Sequence, residues 1–251
     1  MPATPDWPPK STPRLFVDSA LSTGCDFRIE GNAAHYLLGV MRLKDGSPVK
    51  LFDDRSGEYL ATVQSAGKRD LILRVDAKLR ERGSVPDLWL IQALIKKDRF
   101  GWIAEKSCEL GIARFVPIIT TRCVVDKVKK ERLRIQMIEA AEQCERTALP
   151  TIGPLQKIDA LLKDWPAGRT LYFCDERGGT PFSAAIKSGP AAVLIGPEGG
   201  FTTQENEAIR AHPGAIPVSL GPHILRADTA AVAAISIWMA FQGDWHNGDR
   251  R

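Results

Sequence analysis

Apolar positions along this chain follow two different rhythms. From Arg14 to about Arg82 they come in short, β-like runs. "PVKLFDD" and "EYLATVQ" flank "RSG", the pattern of a hairpin, and "DLILRVDAKL" alternates as a half-buried strand does. "NAAHYLLGVMRL", between the first strands, has helical spacing and predicts a helix capped by Asn32. These signals describe a small β-rich domain over residues 14–82, closed by the boundary segment "RERGSVP" (Arg80–Pro86).

After Pro86 strands and helices alternate. "DLWLIQALI", "ARFVPIIT", "TLYFCD", "AAVLIG" and "AIPVSLG" read as buried strands. "RFGWIAEKSCELG", closed by Gly111, and "KKERLRIQMIEAAEQCERTA" read as helices between them. The alternation predicts a mostly parallel α/β sheet over 83–251. Ligands of such sheets sit at the carboxyl ends of the strands. Two glycine-bearing loops lie there, "IGPEGG" and "LGPHIL". Either could be a tight turn; two in adjacent units favour a shared pocket.

At 251 residues, 44% apolar and 25% charged, the chain has the composition of a globular protein with a sizeable core. Its net charge of +4 identifies no partner. The excess is local: residues 95–146 carry 12 Lys or Arg against 8 Asp or Glu, concentrated in "KVKKERLR" and "IKKDR". Such runs are either a solvated helix face or a phosphate-binding patch. Cys25, Cys108, Cys123, Cys144 and Cys174 are odd in number and form no C-x-x-C pair, which argues against a disulfide framework and a zinc site and for free thiols in the cytoplasm. The opening segment "MPATPDWPPKSTPR" has five prolines in its first 13 residues and no apolar core, so residues 1–13 are expected to be a mobile arm.

No dinucleotide fingerprint, P-loop, nucleophile elbow or H-E-x-x-H is present. Leu194, Ile195, Leu220, Ile224 and Leu225 give the loops apolar walls, a mixture suited to a flat heterocycle held by backbone hydrogen bonds. Glu198 stands between glycines, either to orient a ligand or to cap a helix starting near Thr202 or Thr203. His223 sits in the second loop, while His35, His212 and His246 are dispersed without ligand spacing.

"IGPEGGFTTQE", followed by "LGPHILRADTA", resembles the 16S ribosomal RNA (uracil-N3) methyltransferases of the SPOUT superfamily. The likeness extends to "QALIKKDRFGWIAEKSCELGIARFVPIITTRCVV", "EAAEQCERTALP" and "RLFVD", and so covers most of Arg14–Phe241. It implies an α/β SPOUT methyltransferase domain with a C-terminal trefoil knot over 83–251 and a PUA-like RNA-binding domain over 14–82. It further implies a homodimer, S-adenosyl-L-methionine as cofactor, and 16S ribosomal RNA within the small ribosomal subunit as partner. The expected reaction is methylation of uridine N3, at U1498. Alternatives are a SPOUT enzyme acting on another RNA position, a non-catalytic RNA-binding assembly factor, and an α/β enzyme using a nucleotide cofactor.

Carried onto this sequence, the resemblance places the cofactor against Leu194, Ile195, Gly196, Pro197, Glu198, Gly199, Gly200, Leu220, Gly221, Ile224, Leu225 and Thr229. Arg226 and Glu198 are the catalytic candidates. Arginine donates in a planar fork and suits charge developing on uracil oxygens, but it is a poor base. The proton acceptor stays open among Glu198, Asp228, His223 and water. Arg14, Lys127, Lys129, Lys130 and Arg146 are candidate RNA contacts, with Arg146 alternatively a dimer residue. The family often has arginine at His223 and Thr-Glu at Ala227-Asp228, so this chain departs there.

Overall fold

The computed structural model describes residues 12–245, so nearly all of the expected arm, and His246, lie outside the described residues. The chain divides into two compact units, residues 1–84 with 141–148 and residues 85–140 with 149–251.

The first unit is a five-stranded sheet built from β1 (Arg14–Phe16), β2 (Asp26–Ile29), β3 (Pro48–Asp53), β4 (Gly57–Ala66) and β5 (Leu71–Arg80), in the order β1-β3-β4-β5-β2. Only β1 and β3 pair in parallel. The alternation read in β5 appears as alternating burial of Leu71, Leu73 and Val75, which join Val49, Leu51, Ala61 and Val63 in one apolar core. The β3–β4 hairpin is fixed by Asp53, whose carboxylate accepts the backbone N–H groups of Arg55 and Leu21, each at 2.7 Å. Between β2 and β3, helix α1 (Gly31–His35) runs into a π-helical turn, Tyr36–Val40. Asn32 does not cap it: the helix opens at Gly31, with Glu30 at the cap position and no side-chain bond there.

The second unit is an eight-stranded, wholly parallel sheet. Its elements in chain order are β6 (Leu88–Ala93), α2 (Lys97–Glu109), β7 (Arg114–Ile119), α3 (Lys130–Gln143), β8 (Thr151–Ile152), β9 (Gln156–Lys157), α4 (Ile158–Lys163), β10 (Thr170–Cys174), β11 (Thr180–Pro181), α5 (Phe182–Ala185), β12 (Ala191–Ile195), α6 (Thr203–Ala211), β13 (Ala215–Ser219) and α7 (Ala227–Gln242). The strand order is β11-β13-β10-β12-β6-β7-β8, with β9 also on β7. Parallel strands are covered on both faces, which is why β12 is apolar and buried at all five positions. Gly111, at φ +98°, ends α2 as a left-handed residue that a β-carbon would strain.

Helix α3 starts in the second unit, but its last residues and those up to 148 belong to the first. Arg14 accounts for this within the first unit. Its guanidinium pairs with Glu58, bonds the carbonyl oxygens of Ala141 and Arg146, and lies 3.6 Å over the Phe52 ring. With 6% of its side chain exposed, Arg14 is a packing residue and not the RNA contact expected from sequence. Among the described residues no helix is long and apolar enough to cross a membrane, and no group of three or more His, Cys, Asp or Glu could hold a metal ion.

Candidate active site

Strands β13, β10 and β12 are neighbours, so their carboxyl ends lie side by side. Each empties into a loop, and the three loops enclose a cavity of about 400 Å³. From β12 come Ile195, Gly196, Pro197, Glu198 and Gly200; from β13 come Leu220, Gly221, His223, Ile224 and Leu225. Arg226 and Ala227, where α7 begins, complete the wall. The two loops singled out in the sequence therefore share one pocket.

Three of the expected cofactor residues do not line it. Leu194 belongs to the apolar core with Ile91 and Phe173, because successive strand residues face opposite ways and Ile195 takes the pocket side. Gly199 turns its carbonyl to Arg122 Nη1 at 2.8 Å. Thr229 is exposed in the first turn of α7, its N–H on Asp228 Oδ1. Asp228 also stands outside the lining, 3.7 Å from Arg99.

The third loop, Cys174–Gly178 after β10, was missing from the sequence reading. The signal was there: "FCDERGG" is a strand end followed by paired glycines, as "IGPEGG" is. Asp175 organises this wall. Its buried carboxylate accepts Arg210 Nε at 2.7 Å, Arg177 N at 2.9 Å and Asn206 Nδ2 at 3.2 Å. Burial alone would raise its pKa, but these donors outweigh it and hold the carboxyl below its usual range. Burial pushes the Cys174 thiol up to about 12, so it is a wall and not a nucleophile.

Glu198 is exposed and lines the pocket, and it is not a helix cap. That role falls to Thr202, which forms a reciprocal capping box with Glu205 at the start of α6. Arg226 is exposed at the N-terminal end of the 16-residue α7, so a guanidinium and the positive end of a helix dipole face the same space. Such an arrangement suits negative charge that develops on a bound group. Lys127, Lys129 and Lys130 are exposed on the segment leading into α3, and the Arg146 carbonyl is held by Arg14 at 2.6 Å.

Residues 82–239 match the model of an RNA methyltransferase domain, and residues 29–76 that of an RNA methyltransferase PUA domain. Fold and pocket thus define an RNA methyltransferase unit joined to a PUA unit. Ribosomal RNA small subunit methyltransferase E of Rickettsia conorii is 31% identical, over 89% of this chain and 93% of its own. The enzyme of that name from Bacillus subtilis is also 31% identical with the same coverage. Among solved structures, a Ribosomal RNA small subunit methyltransferase E from Neisseria gonorrhoeae bound to S-adenosyl methionine is 28% identical, with a TM-score of 0.84 over 93% of this chain and 99% of that one. A Legionella pneumophila protein in complex with bound cofactor SAM is 29% identical, with a TM-score of 0.83 and the same coverage. The chain belongs to the ribosomal RNA small subunit methyltransferase E family.

Proposed function

We propose that the protein methylates N3 of a uridine, expected to be U1498, in 16S ribosomal RNA of the small subunit, using S-adenosylmethionine. The observation that carries this reading is the convergence of three strand-end loops on one cavity with Arg226 at its rim. The residues present fit the donor. The cavity is of ligand size, and apolar Ile195, Leu220 and Ile224 alternate with open backbone. Asn206 Oδ1, on a residue of the pocket wall, is buried without a partner among the described residues and could accept an amino group.

When bound there, S-adenosylmethionine supplies an electrophilic methyl group on a sulfonium. The protein's part is orientation and electrostatics. Uracil N3 must give up its proton as it attacks, and while it does so negative charge is shared with the flanking carbonyl oxygens; bonding to the methyl carbon then neutralises that charge and leaves neutral S-adenosylhomocysteine. Arg226 donates to those oxygens, with the α7 N-terminus behind it adding positive potential. Glu198, His223 or water receives the proton: both side chains are exposed at the pocket, whereas Asp228 is turned to Arg99.

N3 lies on the Watson–Crick edge, so the uridine must be unpaired or flipped out. Lys127, Lys129 and Lys130 hold phosphates around it, and the PUA unit of residues 29–76 supplies further RNA contacts. The reading includes a trefoil knot in the catalytic unit and a homodimer in the cytoplasm. Exposed Phe241, near the end of the largely apolar α7, and exposed Trp245, just beyond it, support an isologous interface. Calorimetry tests the pocket: S-adenosylmethionine should bind wild-type protein, and Leu220→Arg, which fills the cavity with a charge, should abolish binding without changing the circular dichroism. Unchanged affinity in that folded variant would place the donor elsewhere.

A further inference from the structure

A capping box requires one carboxylate oxygen on the helix's own N-terminal turn. Glu205 uses one that way: its Oε2 accepts Thr202 N at 2.8 Å and Thr202 Oγ1 at 3.0 Å. Its other oxygen is turned to a loop 84 residues away in sequence, where Oε1 accepts Thr121 N at 2.7 Å and Thr121 Oγ1 at 3.0 Å. Glu205 is 8% exposed, and four donors on two loops saturate it. One position further along, Arg122 Nη1 donates to Gly199 O at 2.8 Å. The segment after β7 is thus fastened twice to the cofactor loop 196–202, once at its glycines and once where it enters α6.

The same segment continues directly into Lys127, Lys129 and Lys130, all exposed. We infer that Glu205 is a positioning residue that couples donor binding to RNA binding, by tying the basic β7–α3 segment to the loop that lines the cofactor pocket. The inference rests on the assignment of the pocket to S-adenosylmethionine and of the basic segment to RNA. Cofactor contacts to 196–202 act through these bonds on Thr121 and Arg122, and so on the placement of the lysines. Phosphates on the lysines return the same free energy to the cofactor loop, because coupling between two sites is reciprocal. Glu205→Gln replaces one acceptor oxygen by an amide that faces donors, so one of the two loops is released.

The test is filter binding of purified small ribosomal subunits, from cells lacking this enzyme, with and without saturating S-adenosylhomocysteine as the non-reacting cofactor. Wild-type protein should bind subunits about 5-fold or more tightly when the cofactor is present. In Glu205→Gln the ratio should fall to within about twofold, whereas a purely structural lesion would weaken both affinities and leave their ratio intact. Arg122→Ala is the second variant; Arg122 is exposed, so its loss leaves the fold in place, and the ratio should again drop by half or more. Thr121→Ser keeps both donors and should behave as wild type. No coupling in wild type, or full coupling in Glu205→Gln or Arg122→Ala, overturns the inference. Failure of S-adenosylhomocysteine to bind wild-type protein at all would overturn the assignment of the pocket, and the inference with it.

Discussion

A β-carbon on Gly196 would lie 2.7 Å from Cε2 of Phe201. The glycine that opens the loop after β12 is therefore required by a ring of the protein itself, one that packs edge-on against Phe173 at 5.3 Å and lines the pocket. Sequence reading attributes such glycines to close approach of a ligand; here the close approach is internal.

Gly196→Ala should push Phe201 aside, costing about 1–3 kcal/mol of stability as overpacking does and weakening cofactor affinity. Phe201→Leu, which shortens the obstructing side chain, should restore part of both losses in the double variant. Denaturant unfolding and calorimetry on the four-member cycle check this; strictly additive losses would show that the two residues do not interact.

Asp175 predicts an acid-sensitive wall. Its folded pKa is depressed below the ordinary 3.8, so its bonds to Arg210, Arg177 and Asn206 contribute stability in full above the unfolded value. That contribution is lost as pH falls through the lower folded value. Asp175→Asn should therefore be less stable than wild type at pH 7, with the gap closing below about pH 4. Thermal unfolding across pH 3–7 measures it, and a gap independent of pH would contradict the assignment.

Arg14 and the lysines before α3 should separate by phenotype. Arg14→Ala leaves Glu58 buried with Arg80 as its remaining cation and releases the Ala141 and Arg146 carbonyls. The expected cost is about 3–5 kcal/mol, read by denaturant unfolding. Replacing Lys127, Lys129 and Lys130 by alanine should leave stability unchanged, weaken RNA binding and flatten its salt dependence. If Arg14→Ala instead weakened RNA binding with normal stability, the packing role would be wrong.

Much of this architecture was legible because it is local. A hairpin interruption marked β3 and β4, alternation marked β5, buried apolar runs marked β6, β7, β10, β12 and β13, and the glycine loops pointed to the strand ends where the cavity lies. What escaped depends on contacts distant in sequence. Arg14 reads as a surface cation until Glu58 and the 141–146 carbonyls surround it. The sequence "QCERTALP" does not announce that its backbone belongs to the first unit. Nothing local to Asp175 marks it, because its partners Asn206 and Arg210 lie on α6, about 30 residues on. Strand order, which makes β10 the middle of the three site strands, is likewise a property of the whole sheet.

Arg226 should act chiefly in the transition state, since the charge it meets develops only as N3 loses its proton. Arg226→Ala should lower kcat and kcat/KM together, on the order of 10²-fold or more, by analogy with loss of an oxyanion donor. Cofactor affinity should change little. An elevated KM with unchanged kcat would assign Arg226 to ground-state binding instead.

The central claim is the reaction itself. Purified small subunits from cells lacking this enzyme are incubated with protein and methyl-tritiated S-adenosylmethionine, and the RNA is digested to nucleosides and resolved. The account predicts that the label migrates as 3-methyluridine, with one methyl group per subunit. Label on ribose, on a base carbon or on another base, or no transfer by protein that binds the cofactor, would contradict it.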